Sequence, residues 1–241
     1  MLEVVSLHVY PVKSCGAVDV DRLVLDERGA QFDRHWMVVD EEGCALTQRQ
    51  MPGLARVTPS FEPEALRLTA PGMPALRLAL TLTDAAKATV EVWEFKGDAV
   101  LESAEAAAWF SDLLGTACRV VRMAPDTVRP VNPRYALGSN HVSFTDGFPL
   151  LLASVESLAD LNTRLDEPVL MNRFRPNIVV AGGRGYEEDE WRAVRVNAVR
   201  LDLVKPCARC KTTTVDQTSG AVGKEPLSTL TKYRRTERGG G

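Results

Sequence analysis

Through residues 4–93 the chain is cut into strand-length pieces, and this punctuation limits the fold more than any other feature. Apolar or alternating runs fall at 4–10, 18–25, 35–40, 55–60, 65–69, 76–80 and 88–93, separated by Pro11, the acidic turns at 26–29 and 41–43, and further glycines and prolines. Alternation with period two and frequent turn residues predict short strands rather than helices. Many short strands in succession fit a small barrel or tightly curled sheet.

Helices enter later. Ser103 is a candidate N-cap for a helix running to Leu114, with Trp109, Phe110, Leu113 and Leu114 on one face and Gly115 as its stop. A strand at 118–123, a Pro- and Arg-bearing loop at 124–140, a strand at 149–153, and a helix from Ser154 carrying Leu158, Leu161 and Leu165 follow. Strands at 177–181 and 194–204 complete the pattern. The fold class is mainly β with a few helices (α+β), divided as 1–123 and 124–241, and the polar end predicts that a closing barrel strand is missing or built differently.

The 241 residues are 45% hydrophobic, enough for a sizeable core. Lys+Arg 29 against Asp+Glu 32 leaves a net charge of -3, which gives no reason to expect nucleic acid or an anionic membrane as partner. No apolar run approaches the roughly 20 residues that span a bilayer, so no membrane span is expected. The first ten residues read as a strand rather than a signal peptide. Five cysteines, an odd number, argue against a secreted disulfide framework and for a reducing, cytoplasmic location.

Cys207-Ala208-Arg209-Cys210 is the clearest chemical motif. Two thiols at this spacing suit zinc, a redox dithiol, a single thiolate on a soft metal, or plain burial as small hydrophobes. Zinc wants four ligands, and no second Cys-x-x-Cys exists. The sequel Lys211-Thr212-Thr213-Thr214-Val215 is β-branched and strand-like, unlike the helix N-terminus that a thioredoxin-type pair needs. Elsewhere, Lys13 and Ser14 follow Pro11 in a turn, Arg34 precedes an apolar strand, and Arg175 and Asn177 flank Pro176 on one side of an extended chain. Three cations, a hydroxyl, an amide and one thiolate form a set suited to a phosphorylated heterocycle beside a soft metal.

In order along the chain, Tyr10-Pro11-Val12-Lys13-Ser14-Cys15, Asp33-Arg34-His35-Trp36, Phe174-Arg175-Pro176-Asn177-Ile178, Glu188-Asp189-Glu190-Trp191, Cys207-Ala208-Arg209-Cys210, Thr213-Thr214-Val215-Asp216 and Lys224-Glu225-Pro226-Leu227, followed by Leu230 and Tyr233-Arg234, resemble MOSC-domain proteins with an N-terminal β-barrel domain. The likeness is to the mitochondrial amidoxime-reducing component and its bacterial relatives, and it runs from about Val4 to Arg235. It implies an N-terminal β-barrel domain followed by a MOSC β-barrel domain, and a molybdenum–molybdopterin cofactor with Cys210 as the protein ligand to the metal. Cys207 would pack beside it or tune it. By the same resemblance Lys13, Ser14, Arg34 and Arg175 contact the cofactor, and Asn177, paired with Arg175 on one side of the chain, is a further candidate contact. Gly147, Phe148 and Ala208 match further contact positions where some relatives carry hydroxyl residues. Pyridoxal phosphate binding is attached to the family as a whole.

The implied reaction is two-electron reduction of small N-hydroxylated compounds such as amidoximes, hydroxylamines and N-hydroxylated bases. Asp216 or a metal-bound water is the candidate proton source. No cysteine follows Cys210, so the tail cannot build an iron–sulfur cluster, and a separate donor is implied, a ferredoxin, a reductase or a cytochrome b5-like protein. The competing reading is a sulfur carrier with a persulfide on Cys210.

Overall fold

The computed structural model describes residues 2–81, 85–136 and 138–234; Arg235 and the terminal glycines lie outside these. The chain is mainly sheet. β1 (Glu3–Val9), β2 (Val18–Asp19), the small hairpin of β3 (Leu25–Asp26) and β4 (Gly29–Ala30), and β5 (Trp36–Val39) come first. A meander of β6 (Thr58–Phe61), β7 (Ala65–Thr69) and β8 (Leu76–Ala79) follows, then the hairpin β9 (Lys87–Val92) and β10 (Phe95–Leu101). Helix α1 (Ala104–Leu114) leads to β11 (Arg119–Met123), and a long irregular stretch ends at β12 (Leu152–Ser154) and α2 (Val155–Asn162). β13 (Ile178–Ala181), the hairpin β14 (Ala193–Val196) and β15 (Val199–Asp202), and α3 (Leu227–Tyr233) complete it. Among the described residues no helix is long and apolar enough to cross a membrane.

β5 sits between two cores. Its four residues, Trp-Met-Val-Val, are all fully buried. Alternation sends Trp36 and Val38 into one cluster with Leu54, Leu66, Leu68, Leu76 and Phe110, and Met37 and Val39 into another with Val90, Val121 and Phe144. A strand covered on both faces reads as a continuous apolar run. Each fully buried leucine in the first core contributes roughly 1.5–3 kcal/mol. Helix α1 closes that core with Ala106, Trp109 and Phe110. As expected, Ser103 caps it, its Oγ accepting from Ala106 N at 3.2 Å, and Gly115 ends it at φ 67°.

The two halves of the sequence share a sheet, ordered β12-β13-β1-β2. β1 runs antiparallel to β13, with Leu7 opposite Ile178. This pairing, between strands about 170 residues apart, brings the loop after β1 beside the turn before β13.

Several elements depart from expectation. The run at 18–25 pairs only at its two ends, and 55–60 begins as a 3-10 turn (Pro52–Arg56). β10 was not expected; Gly97 and its polar neighbours hide it in the sequence. The 194–204 run is a hairpin turning at Asn197, which adopts φ 53°. Leu165 lies beyond the end of α2, leaving Leu161 as its buried residue. The segment after Cys210 is a 3-10 turn (Lys211–Thr214) and not a strand.

Candidate active site

The site grows from the end of β1. Tyr10 N donates to Asp33 Oδ1 at 2.8 Å, Arg34 N to Tyr10 O at 2.7 Å, and Lys13 N to Trp36 O at 2.8 Å, so the 10–16 loop is stitched to the 32–36 turn. Gly16 permits this path, because a Cβ there would meet Val57 O at 2.8 Å. Ser14, Arg34 and Arg175 adopt φ of 69°, 46° and 56°, as does Trp93 at 56°. Left-handed backbone at non-glycine residues costs about 1–3 kcal/mol each and persists where surrounding contacts fix it, often at functional sites.

Asp33, Arg34 and Asn177 form a closed unit. Arg34 Nη1 donates to Asp33 Oδ2 at 2.5 Å and to Asn177 Oδ1 at 3.1 Å, and its Nη2 donates to Arg175 O at 3.1 Å. Asn177 Nδ2 donates to Asp33 Oδ1 at 2.9 Å and His8 O at 3.1 Å, while its Oδ1 also accepts from Leu151 N. Both amide donors and the amide oxygen of Asn177 are therefore engaged inside the protein. In this arrangement the Asn177 side chain orients Arg34.

Arg175 is different. Its Nη1 donates to Cys15 O at 2.6 Å, and its guanidinium and that of Arg34 each lie 4.3 Å from the Tyr10 ring centre. Its Nη2 is buried without a partner. Burial, then the neighbouring Arg34 charge, lower the Arg175 pKa to about 10, which leaves it a cation at neutral pH. An unsatisfied buried donor costs about 1–3 kcal/mol, more when charged. An anionic oxygen is the partner this atom lacks.

Lys13 is also buried. Its Nζ donates to Phe144 O at 2.8 Å and to Asp146 Oδ1 at 2.6 Å. Burial lowers its pKa, and Asp146 opposes that shift. The Asp146 carboxyl lies well below the usual carboxylate range: partial desolvation works against ionisation, but the side chain stays exposed, and Lys13 and then the Trp93 indole N–H, at 3.1 Å, outweigh it. Arg129 holds this segment, its Nη1 donating to the carbonyls of Ser143 and Thr145 at 2.7 and 2.6 Å.

The same Trp93 ring carries Arg49, whose guanidinium stands 4.2 Å from the ring centre. Arg49 Nη2 reaches Cys210 Sγ at 3.3 Å. Burial raises the Cys210 pKa, but hydrogen bonding to Thr212 and then Arg49 more than offset it, and the net direction is down. A half-buried thiol biased toward thiolate is a suitable soft-metal ligand. Lys13, Asp146, Trp93, Arg49 and Cys210 thus form one continuous line of contacts. A second line joins Gln48, bonded to Ser14 O at 2.6 Å, through Gln217 to Arg175.

Arg49, Trp93, Gln48, Gln217 and Arg129 were missed by sequence reasoning. Only Arg49 and Trp93 carried any signal, as a cation and an aromatic in polar turns, and nothing in the sequence brings them to Cys210. Gly147 faces open space where a Cβ would sit, and Phe148 packs edge-on against Tyr135 at 6.0 Å. Ala208 and Cys207 are exposed, whereas Cys210 is half-buried. Asp216 is fastened by Ser219, Thr218 and Arg173, which lower the pKa of its carboxyl. Asp189 and Tyr233 belong to a separate cluster: Arg234 bonds Asp189, and Tyr186 bonds Tyr233, fixing α3. Among the described residues no three His, Cys, Asp or Glu converge on one point.

The chain is mainly β, its halves share a sheet, and buried cations, one guanidinium nitrogen without a partner and a half-buried thiol belong to one connected set of contacts. Residues 1–117 match the MOSC N-terminal beta barrel domain and residues 139–240 the MOSC domain. The chain is 38% identical to mitochondrial amidoxime reducing component 2 of Bos taurus, covering 95% of this chain and 71% of that one. It is 34% identical to mitochondrial amidoxime-reducing component 1 of Homo sapiens, covering 97% and 72%. A solution structure of a Bordetella bronchiseptica protein aligns with 49% of this chain and 89% of its own, at 29% identity and a TM-score of 0.42. The chain belongs to the MOSC family, among the proteins that carry the N-terminal beta barrel domain.

Proposed function

We propose that the protein is a molybdenum-cofactor-dependent reductase of N-hydroxylated compounds, amidoximes among them, fed by a separate electron donor. The observation that carries this reading is the buried, unpartnered Nη2 of Arg175 in the same connected site as Lys13, Arg34 and the Cys210 thiol. In this reading Arg175, Lys13, Ser14 and Arg34 hold the anionic pterin, Cys210 ligates the metal, and Gly147, Phe148 and Ala208 line the cofactor through backbone groups. When bound, the cofactor supplies the two-electron chemistry. The protein fixes it, keeps Asp146 ionised against Lys13, and backs Arg34 and Arg175 with the buried Tyr10 ring. The names of the amidoxime-reducing relatives support the substrate class. A cytoplasmic setting is carried as part of the same reading, although the named relatives are mitochondrial. The division at 123/124 is carried as part of the same reading.

The test is reduction of benzamidoxime by cofactor-loaded protein with reduced methyl viologen. Turnover that disappears in Cys210→Ser supports the reading. Metal-free protein that carries cyanide-labile sulfane sulfur on Cys210 would replace it with the sulfur-carrier role.

A further inference from the structure

We propose that the rim around Cys210, formed by Arg49, Arg134, Lys205, Arg209 and Lys211, is the docking surface for an electron-donor protein that presents an acidic face. The inference rests on the reductase reading and identifies where its donor binds.

Three stretches reach this rim, 43–61, 127–145 and 203–215, and none of them contains an aspartate or glutamate. They carry Arg49, Arg134, Lys205, Arg209 and Lys211 in a chain whose net charge is -3. Among the described residues, none of these five cations has a carboxylate within salt-bridge distance. Asp146 and Asp216, which directly follow two of these stretches, are paired with Lys13 and Arg173.

Side-chain contacts tie four of these cations to residues of the site, and Lys211 follows Cys210 directly in the chain. Arg49 touches Cys210 Sγ itself. Lys205 and Arg134 lie over the Tyr135 ring, at 5.1 and 5.6 Å from its centre, and that ring packs on Phe148, two residues from Asp146. Arg209 lies 5.1 Å from the Phe174 ring centre, next to Arg175. The rim cations are exposed or half-buried and spread over aromatic faces; they do not converge on a point. The point-like anion site is the deeper one, built from Lys13, Arg34 and Arg175. A broad positive rim of unpaired charge with aromatic patches fits a macromolecular face better than a small anion. Electron-transfer partners bind through small interfaces, and complementary charge sets their encounter rate. An acidic donor seated here would bring its redox centre to the Cys210 side of the site.

The test uses full-length, cofactor-loaded protein and benzamidoxime, with three donors compared: an acidic plant-type ferredoxin, the soluble domain of a cytochrome b5, and reduced methyl viologen. For at least one protein donor, kcat/KM is expected to fall steeply with added salt, and to fall about ten-fold or more in R134E/K205E with a flattened salt response. Viologen-driven turnover should stay within about two-fold, since neither residue contacts the cofactor positions. R134Q/K205Q, a milder pair, should give an intermediate loss if the charge-reversal pair folds poorly. Protein-donor rates indifferent to both salt and charge reversal would overturn the docking site, as would transfer from neither protein donor. Selective loss of turnover with a carboxylate-bearing amidoxime would assign the rim to substrate steering. Co-sedimentation with phosphatidylserine vesicles, lost in R134E/K205E, together with unchanged donor rates would assign it to a membrane. Absence of viologen-driven turnover in the unaltered protein would instead sink the reductase reading, and this inference with it.

Discussion

Cys207 and Cys210 are the same residue type three positions apart, yet their surroundings separate them. Cys210 is held by Arg49 and Thr212, while Cys207 is exposed with a single long contact to Ala208 O at 3.7 Å. Cys210→Ser should therefore abolish turnover and metal retention, whereas Cys207→Ser should change activity by less than about two-fold; steady-state kinetics with metal analysis checks both, and equal losses would contradict the single-ligand assignment. His35 makes a second residue-scale prediction. Burial, then Arg122 and Arg28, lower its pKa from 6.5 to about 4. Between these values the unfolded chain binds the proton and the folded one does not, so stability falls as pH drops from 6.5 to 4 and the loss is complete below that window. The cost is at most about 3 kcal/mol. Urea midpoints for His35→Gln should lose this part of the pH slope; an unchanged slope would place the titration elsewhere.

At the scale of elements, the sequence was most legible where one local rule decided the outcome. Ser103 and Gly115 bound α1 because a cap and a left-handed stop are local chemistry. Ser103→Ala should cost about 1 kcal/mol in chemical denaturation. Expectation failed where a residue's apparent preference was redirected. Gly97 reads as a strand breaker, but the Phe95 ring lies where its Cβ would be, within 2.4 Å, and β10 continues through it. The β-branched threonines after Cys210 read as a strand. In the fold Thr213 Oγ1 bonds Cys210 O and Thr214 Oγ1 bonds Lys211 O, each at 2.9 Å, and these local bonds tighten a 3-10 turn instead. Gly16→Ala tests how tightly the 10–16 loop is set. Its methyl would press on the Val57 carbonyl at the start of β6, so cofactor retention should fall several-fold while the β14–β15 hairpin keeps its hydrogen-exchange protection.

At the scale of the whole molecule, the site exists because the β1–β13 pairing joins distant parts of the chain. Lys13 meets Asp146 across 133 positions, and Arg49 meets Cys210 across 161. The cations Lys13, Arg34 and Arg175 were legible as residue types in ordered motifs. That Asn177 is engaged with Arg34 and Asp33, and that Arg175, alone of these three cations, keeps a buried donor without a partner, depends on three-dimensional neighbours and was not. This division bears on the central claim, that one thiolate and a set of buried cations hold an anionic, soft-metal cofactor. The most direct measurement is molybdenum content of the purified protein, expressed in a host that makes the cofactor, beside Cys210→Ser and Arg175→Ala. The account predicts about one molybdenum per chain, lost in the first variant and sharply reduced in the second without a matching drop in melting temperature. A metal-free, fully folded protein, or variants that keep their metal, would contradict it.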